Sequence, residues 1–154
     1  MAPLLEDLRV QIETALPGSQ VEIVPNEAAN QPSLLVDREH AFAIARWLRD
    51  EPSLQLDYAS NVTGIDYLDS LTKEKVKIRK VIDGQEQEVE ETIERKRAGY
   101  LEVVYHLFSM ALKHGPVVIR VRTGNRSDDV HVPSLTPVWR GAEFQEREVY
   151  DLYG

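Results

Sequence analysis

No cysteine occurs anywhere in the 154 residues. That absence removes disulfides, thiolate nucleophiles, structural zinc of the usual kind and any self-ligated iron–sulfur cluster. Any redox centre must therefore belong to another chain. Positive charge is short as well: 18 lysines and arginines stand against 26 aspartates and glutamates, for a net charge of −8. Non-specific grip on nucleic acid or anionic lipid comes from clustered basic side chains, so this balance argues against both. Long apolar runs are missing too, and no stretch approaches the roughly 20 residues of a membrane span. The opening MAPLLEDLRVQIE places acids where a secretory signal carries positive charge and an unbroken apolar run. A soluble, cytoplasmic chain with no direct membrane insertion is expected. The four histidines, His40, His106, His114 and His131, form no H-x-x-x-H or H-x-H pair to seat a metal. Gly115, Gly124 and Gly141 stand alone rather than in a phosphate-binding loop, and Ser109 and Ser134 lack a nucleophile elbow. No catalytic, cofactor-binding or metal-ligating residue is assigned.

What is present suits a single folded domain over residues 1–154, with 42% hydrophobic and 29% charged residues. Leu5, Leu8, Ile12 and Leu16 recur at helical spacing, which predicts a helix over 3–16 turned off by Gly18. VEIVP and PSLLV are short β-favouring runs on either side of the turn-like NEAANQ. Asp37 is a candidate N-cap for a helix over 38–50, whose Ala41, Ile44, Ala45 and Leu48 share one face and which Pro52 stops. SLQLDYASNVTGIDY over 53–67 alternates like a strand with a polar break. YLEVVYHLFSM and PVVIRVRTG read as a hairpin near the middle of a sheet. On the second of these, Val117, Ile119 and Val121 face one way, while Val118, Arg120 and Arg122 take the less buried side. The expected class is α+β: a two-layer sandwich with a mixed or mainly antiparallel sheet and helices packed on one face.

The segment 71–97 departs from its surroundings. If Asp83 and Gly84 make a two-residue turn, Ile82 faces Gln85, Arg79 faces Glu88, Ile78 faces Val89 and Lys77 faces Glu90. Charge then meets opposite charge along the ribbon. A solvated helix over 85–97 is the rival, and it leaves the basic half unexplained. A projecting hairpin is expected, as a surface excursion or, alternatively, as a contact arm for a partner.

The tail EFQEREVYDLYG predicts a helix near 139–153. At about 100° per residue, Leu152, Val149, Ala142, Tyr153 and Tyr150 share one arc, with Glu146 inside it. Glu143, Arg147 and Asp151 form a separate charge line. A buried carboxylate among apolar neighbours requires a cation or several donors, so Glu146 either lies at the rim of the arc or is met by an arginine of this chain or a basic residue of another subunit. Glu146 and Glu148 diverge by roughly 200° and cannot share a substrate as a hydrolase pair.

VPSLTPVWRGAEFQEREVYDLYG resembles the signature of the thirty-kilodalton subunit, the C component, of respiratory complex I, NADH:quinone oxidoreductase. Its hallmark, E-R-E-x-x-D followed by an apolar pair and glycine, is matched by Glu146, Arg147, Glu148, Asp151 and Gly154. Ser134, Trp139, Ala142, Phe144 and Tyr150 fit the flanks, and YLEVVYHLFS and SNVTGIDYLD resemble the family's central strands. The likeness covers roughly 55–154 apart from 71–97. The family pattern continues past the glycine to a His-Pro pair and an arginine, so the resemblance implies a truncated chain. The resemblance further implies a structural subunit of the peripheral arm of a proton-translocating complex, its apolar helix residues in its own core and its helix docked on the quinone-pocket subunit, the D component. It would lie on the cytoplasmic side of the bacterial inner membrane and support electron transfer from NADH to quinone. It would bind no cofactor itself, while NADH, FMN, iron–sulfur clusters and quinone belong to other subunits. Glu146, Arg147, Glu148, Tyr150, Asp151 and Gly154 would fix register within the subunit or at an interface. A homologous subunit of a membrane-bound hydrogenase and a stand-alone adaptor domain are the alternatives.

Overall fold

The computed structural model of the chain describes residues 4–25 and 31–153. It divides into two compact units, 1–67 with 100–154, and 68–99. The larger unit is built on a five-stranded sheet in the order β1-β2-β7-β6-β3, from β1 (Val21–Val24), β2 (Ser33–Val36), β3 (Tyr58–Tyr67), β6 (Tyr100–Ser109) and β7 (His114–Arg122). Only the β2–β7 pairing is parallel, so the sheet is mixed. The hairpin of β6 and β7 occupies the middle, as the β-branched runs predict. The turn expected over NEAANQ falls largely at 26–30, outside the described residues.

Register sorts the side chains into two faces. Leu34 and Val36 lie beside Ile119 and Val121, which lie opposite Tyr105 and Val103, which in turn lie opposite Val62 and Gly64. This face is the core face. Helix α1 (Leu5–Ala15) adds Leu8 and Ile12 to it, and α2 (Ala41–Asp50) adds Ile44 and Leu48. Leu135, Val138 and Trp139 close it from the chain that follows β7. The result is the two-layer α+β sandwich expected from the sequence, with helices on one face.

The opposite face carries Arg120, Arg122 and Glu102. Glu102 sits directly across from Arg122; Arg120 Nη1 donates to its Oε1 at 2.5 Å and Arg122 Nε to its Oε2 at 2.7 Å. The Glu102 side chain is 0% exposed and that of Arg120 14%. Arg120 Nε also donates to Ser33 Oγ at 2.6 Å, and the Arg122 guanidinium lies 4.5 Å from the Tyr100 ring centroid. These contacts join β2, β6 and β7 by side chains as well as by backbone. His106 shares the face, and burial, then the Arg120 charge, lowers its pKa below the usual histidine value.

One helix start differs from expectation. Helix α2 begins at Ala41 with His40 at the N-cap, and Asp37 does not cap it. The Asp37 carboxylate is taken instead by the Gln20 amide, which donates at 2.9 Å, and by the His40 ring. Asp37 therefore closes the end of the β1–β2 pair, and residues 38–40 form a turn before the helix starts.

The smaller unit is an antiparallel ribbon of β4 (Ser70–Ile82) and β5 (Gln85–Arg97). Its register is the expected one: Ile82 faces Gln85, Arg79 faces Glu88, Ile78 faces Val89 and Lys77 faces Glu90. Asp83 and Gly84 turn the chain with φ of 53° and 78°, the doubly left-handed geometry that Asp-Gly favours. Lys80 and Glu91 add a diagonal ion pair.

Candidate functional site

The signature tail folds as a short 3₁₀ turn at Arg140–Ala142 and then as α3 (Glu143–Tyr153). The chain leading to it is anchored first. Both terminal nitrogens of Arg38 donate to the Asp129 carboxylate at 2.6 Å, and Arg38 Nη1 also donates to the His131 carbonyl at 3.2 Å. The Arg38 hydrogen bonds hold the Asp129 carboxyl below the usual carboxylate range. Further along, Trp139 Nε1 donates to the Leu56 carbonyl at 2.7 Å, and Ala142 is fully buried.

Glu146 then locks α3 to this anchored chain. Its Oε1 accepts from the Tyr105 hydroxyl and from the Leu135 amide, each at 2.8 Å. Its Oε2 accepts from the Ser134 and Thr136 hydroxyls at 2.5 and 2.8 Å. No lysine or arginine is among these donors. The sequence pattern points to an arginine of this chain or a basic residue of a neighbour; three hydroxyls and one amide of the same chain take that place instead. A carboxylate can accept about four hydrogen bonds, so these donors use its full capacity. Ser134, which the sequence marks only as a poor nucleophile and a flank residue, is one of them. The signal that could have found it is the S-x-T spacing of Ser134 and Thr136, which brings two hydroxyls to the same carboxylate around the Leu135 amide.

Two further contacts seat the helix. Gln145 Oε1 accepts from the Val62 amide at 2.7 Å, just beyond the bulge in β3 at Ala59–Asn61. The Tyr153 ring and Val149 lie against Gly64, where an added Cβ would stand 2.5 Å from a Tyr153 ring carbon and 2.9 Å from a Val149 methyl. Glycine at 64 lets the helix approach the edge strand closely.

The apolar arc divides between body and solvent. Val149 packs on the core and Tyr153 on Gly64, whereas Tyr150 and Leu152 are 72% and 76% exposed, as is Phe144 at 74%. The arc therefore does not lie whole in the chain's own core, as the sequence suggests. It spans roughly 160° of the helix, and a helix resting on an edge strand covers only its centre. Of the charge line, Glu143 and Arg147 pair at 2.7 Å, while Asp151 has no hydrogen-bond or ion-pair partner among the described residues. Glu148 is exposed, away from Glu146, and Gly154 lies outside the described residues.

Between α3 and residues 130–136 runs a groove of about 770 Å³, floored by Leu101, Val103 and Tyr105. Glu143, Glu146, Arg147 and Asp151 line its helical side. Elsewhere, Asp37, Glu39 and His40 bring ligand atoms within 4.8 Å of one another, but the Asp37 carboxylate is already occupied by the Gln20 amide and His40.

The Tyr105 pKa is pushed far above the ordinary value of 10.0, by burial first, then by the Glu146 charge and by the hydrogen bond to it. In the unfolded chain this phenol ionises above pH 10, while in the folded chain it stays protonated. Its contribution to stability is therefore expected to be fully present below about pH 10 and to fall by about 1.4 kcal/mol per unit above it. Tyr105→Phe should remove that share of the alkaline slope in urea denaturation followed from about pH 8 to about pH 11.

Residues 34–154 match the family described as respiratory-chain NADH dehydrogenase, 30 Kd subunit. The chain is 31% identical over 153 residues to the C component of the NADH-quinone oxidoreductase of Roseiflexus sp. strain RS-1, covering 99% of this chain and 67% of that protein. The protein of the same description from Roseiflexus castenholzii is 32% identical over 151 residues, with 98% and 66% covered. That from Saccharopolyspora erythraea is 33% identical over 119 residues, with 77% and 36% covered. The chain thus spans between about a third and two thirds of the length of these curated relatives. A solved structure described as Nqo5, a trypsin-resistant fragment, shares the fold with a TM-score of 0.54 at 23% identity, covering 97% of this chain and 92% of that one.

Proposed function

The chain belongs to the family of the 30-kilodalton subunit of respiratory-chain NADH dehydrogenase, and on that premise we propose that it is a docking subunit of the peripheral arm of a proton-translocating NADH:quinone oxidoreductase. It seats against the quinone-pocket subunit, the D component, through α3. Electrons pass from NADH to quinone through FMN and iron–sulfur clusters held by other subunits, and this chain contributes position rather than a cofactor. The absence of cysteine supports that division of labour. No helix among the described residues is long and apolar enough to cross a membrane. On this reading the chain reaches the cytoplasmic side of the bacterial inner membrane as a peripheral part of the complex.

One observation carries the reading. The polar anchors of α3 are engaged inside the chain, Glu146 by four donors and Gln145 through its Oε1, while Phe144, Tyr150 and Leu152 on the same helix stand in solvent. Aromatic and aliphatic side chains presented on a rigidly held helix are the usual anchors of a protein interface. The charged residues beside them, Arg147, Glu148 and Asp151, suit the rim, where charge sets orientation more than affinity.

The double variant Phe144→Asp/Leu152→Asp, made in the tagged full chain in its own host, tests this. Because both positions are exposed, the urea midpoint of the purified chain should change little, while native electrophoresis of membranes should show the complex strongly depleted. A complex assembled at normal yield would remove α3 as the contact.

A further inference from the structure

Resting on the docking role of α3, we infer that the groove beside that helix receives a short segment of the neighbouring subunit that combines apolar side chains with at least one lysine or arginine. The groove borders the core face of the sheet. Leu101, Val103 and Tyr105 line an open space of about 770 Å³; Val103 and Tyr105 are already buried under the chain, and Leu101 is the half-buried member of the three. That volume lies within the range of sites that enclose a ligand or a few side chains. Val132 and Pro133 form one wall and Tyr150 the other, so the occupant meets an apolar lining on three sides.

Charge decides what kind of segment fits. The lining residues of α3 supply three carboxylates, Glu143, Glu146 and Asp151, against the single guanidinium of Arg147. Arg147 is committed to Glu143 at 2.7 Å. The four donors on Glu146 include no cation, and Asp151 is unpaired among the described residues. The wall is therefore left negative, and an acidic or purely apolar segment would leave it uncompensated. A cation entering beside Asp151, with apolar neighbours over Leu101, Val132 and Tyr150, satisfies both features together.

Photocrosslinking within the assembled complex tests this. Benzoylphenylalanine is placed at His131, an exposed position on the groove wall, and separately at Phe144 on the outward side of α3. The expected result is an adduct from position 131 to a peptide of another subunit that contains apolar residues and a lysine or arginine. Asp151→Lys should lower the yield of that adduct about tenfold through like-charge repulsion, and exchanging the captured lysine or arginine for glutamate should restore it. An adduct to this chain itself, to a second copy, to an acidic peptide or to a molecule without peptide mass would overturn the inference. So would a yield indifferent to Asp151→Lys. If position 144 captures a neighbour while 131 captures none, the groove assignment falls and the docking reading stands. If neither captures a neighbour, the docking reading fails as well.

Discussion

Glu102→Ala is expected to lower the stability of the chain by about 3–5 kcal/mol, the cost of removing one partner from a buried charge cluster. The carboxylate is wholly enclosed and serves two guanidiniums at once. Without it, Arg120 stays inside the fold with only Ser33 Oγ as a neutral acceptor, and Arg122 keeps its stacking on Tyr100. Arg120 is the more enclosed of the two and bears most of the loss. A domain of this size has about 5–15 kcal/mol in total, so the variant sits near the limit of folding. Urea denaturation gives the measure: the midpoint should fall steeply while the slope is unchanged. Glu102→Leu combined with Arg120→Met should recover much of the loss, because the more enclosed guanidinium leaves together with the carboxylate and only Arg122, about a third exposed, loses its partner. If Glu102→Ala costs less than about 1 kcal/mol, the cluster behaves like an exposed surface pair and a buried ionic lock on this face is ruled out.

Glu146→Gln is expected to destabilise the isolated chain by about 2–3 kcal/mol, because buried donors lose their acceptor. The sequence pattern offers this carboxylate an arginine of this chain or a basic residue of a neighbour. In the structure it is met instead by four uncharged donors of the same chain. Glutamine keeps one oxygen for four donors and turns an NH₂ group toward hydroxyls and an amide that need acceptors. Leaving a buried donor unsatisfied costs about 1–3 kcal/mol, and the Tyr105 hydroxyl and Leu135 amide both belong to buried residues. Assembly should suffer as a consequence, because α3 loses its lock to residues 134–136. The check is a urea midpoint for Glu146→Gln beside those for Ser134→Ala and Thr136→Ala, each of which removes one donor and should cost less. A midpoint equal to that of the unaltered chain would return Glu146 to the role of a residue awaiting a neighbour.

Some of this architecture is legible in the chain directly. The ribbon register is, because its two strands are sequence neighbours and a two-residue turn leaves one way to place charge against charge. The pairing of β6 with β7 is legible too, because two strongly β-favouring runs are joined by a short connection. Its register, which puts Glu102 across from Arg122 beyond a shift at Leu107–Ser109, is seen only in the structure. Other features depend on distant partners. The Asp37 carboxylate looks like a cap until the Gln20 amide, 17 residues earlier, takes it. The donors to Glu146 come from Tyr105, 41 residues away, and from a stretch with no regular structure. Hydroxyls and backbone amides leave no sign as visible in a sequence as an arginine does. How much of the apolar arc of α3 is buried is equally hidden, because it depends on the helix resting against an edge strand.

The ribbon has one more consequence. Residues 68–99 hold eight basic and eight acidic side chains, so they carry no net charge, and the whole −8 of the molecule belongs to the rest of the chain. Seen from beyond a Debye length, the ribbon is electrically silent, and a charged body approaching from solution is steered by the sandwich alone. Added electrolyte weakens exposed pairs and long-range attraction alike, but here the two effects fall on different parts of the molecule. It loosens cross-strand matching in the one and dims the far field of the other.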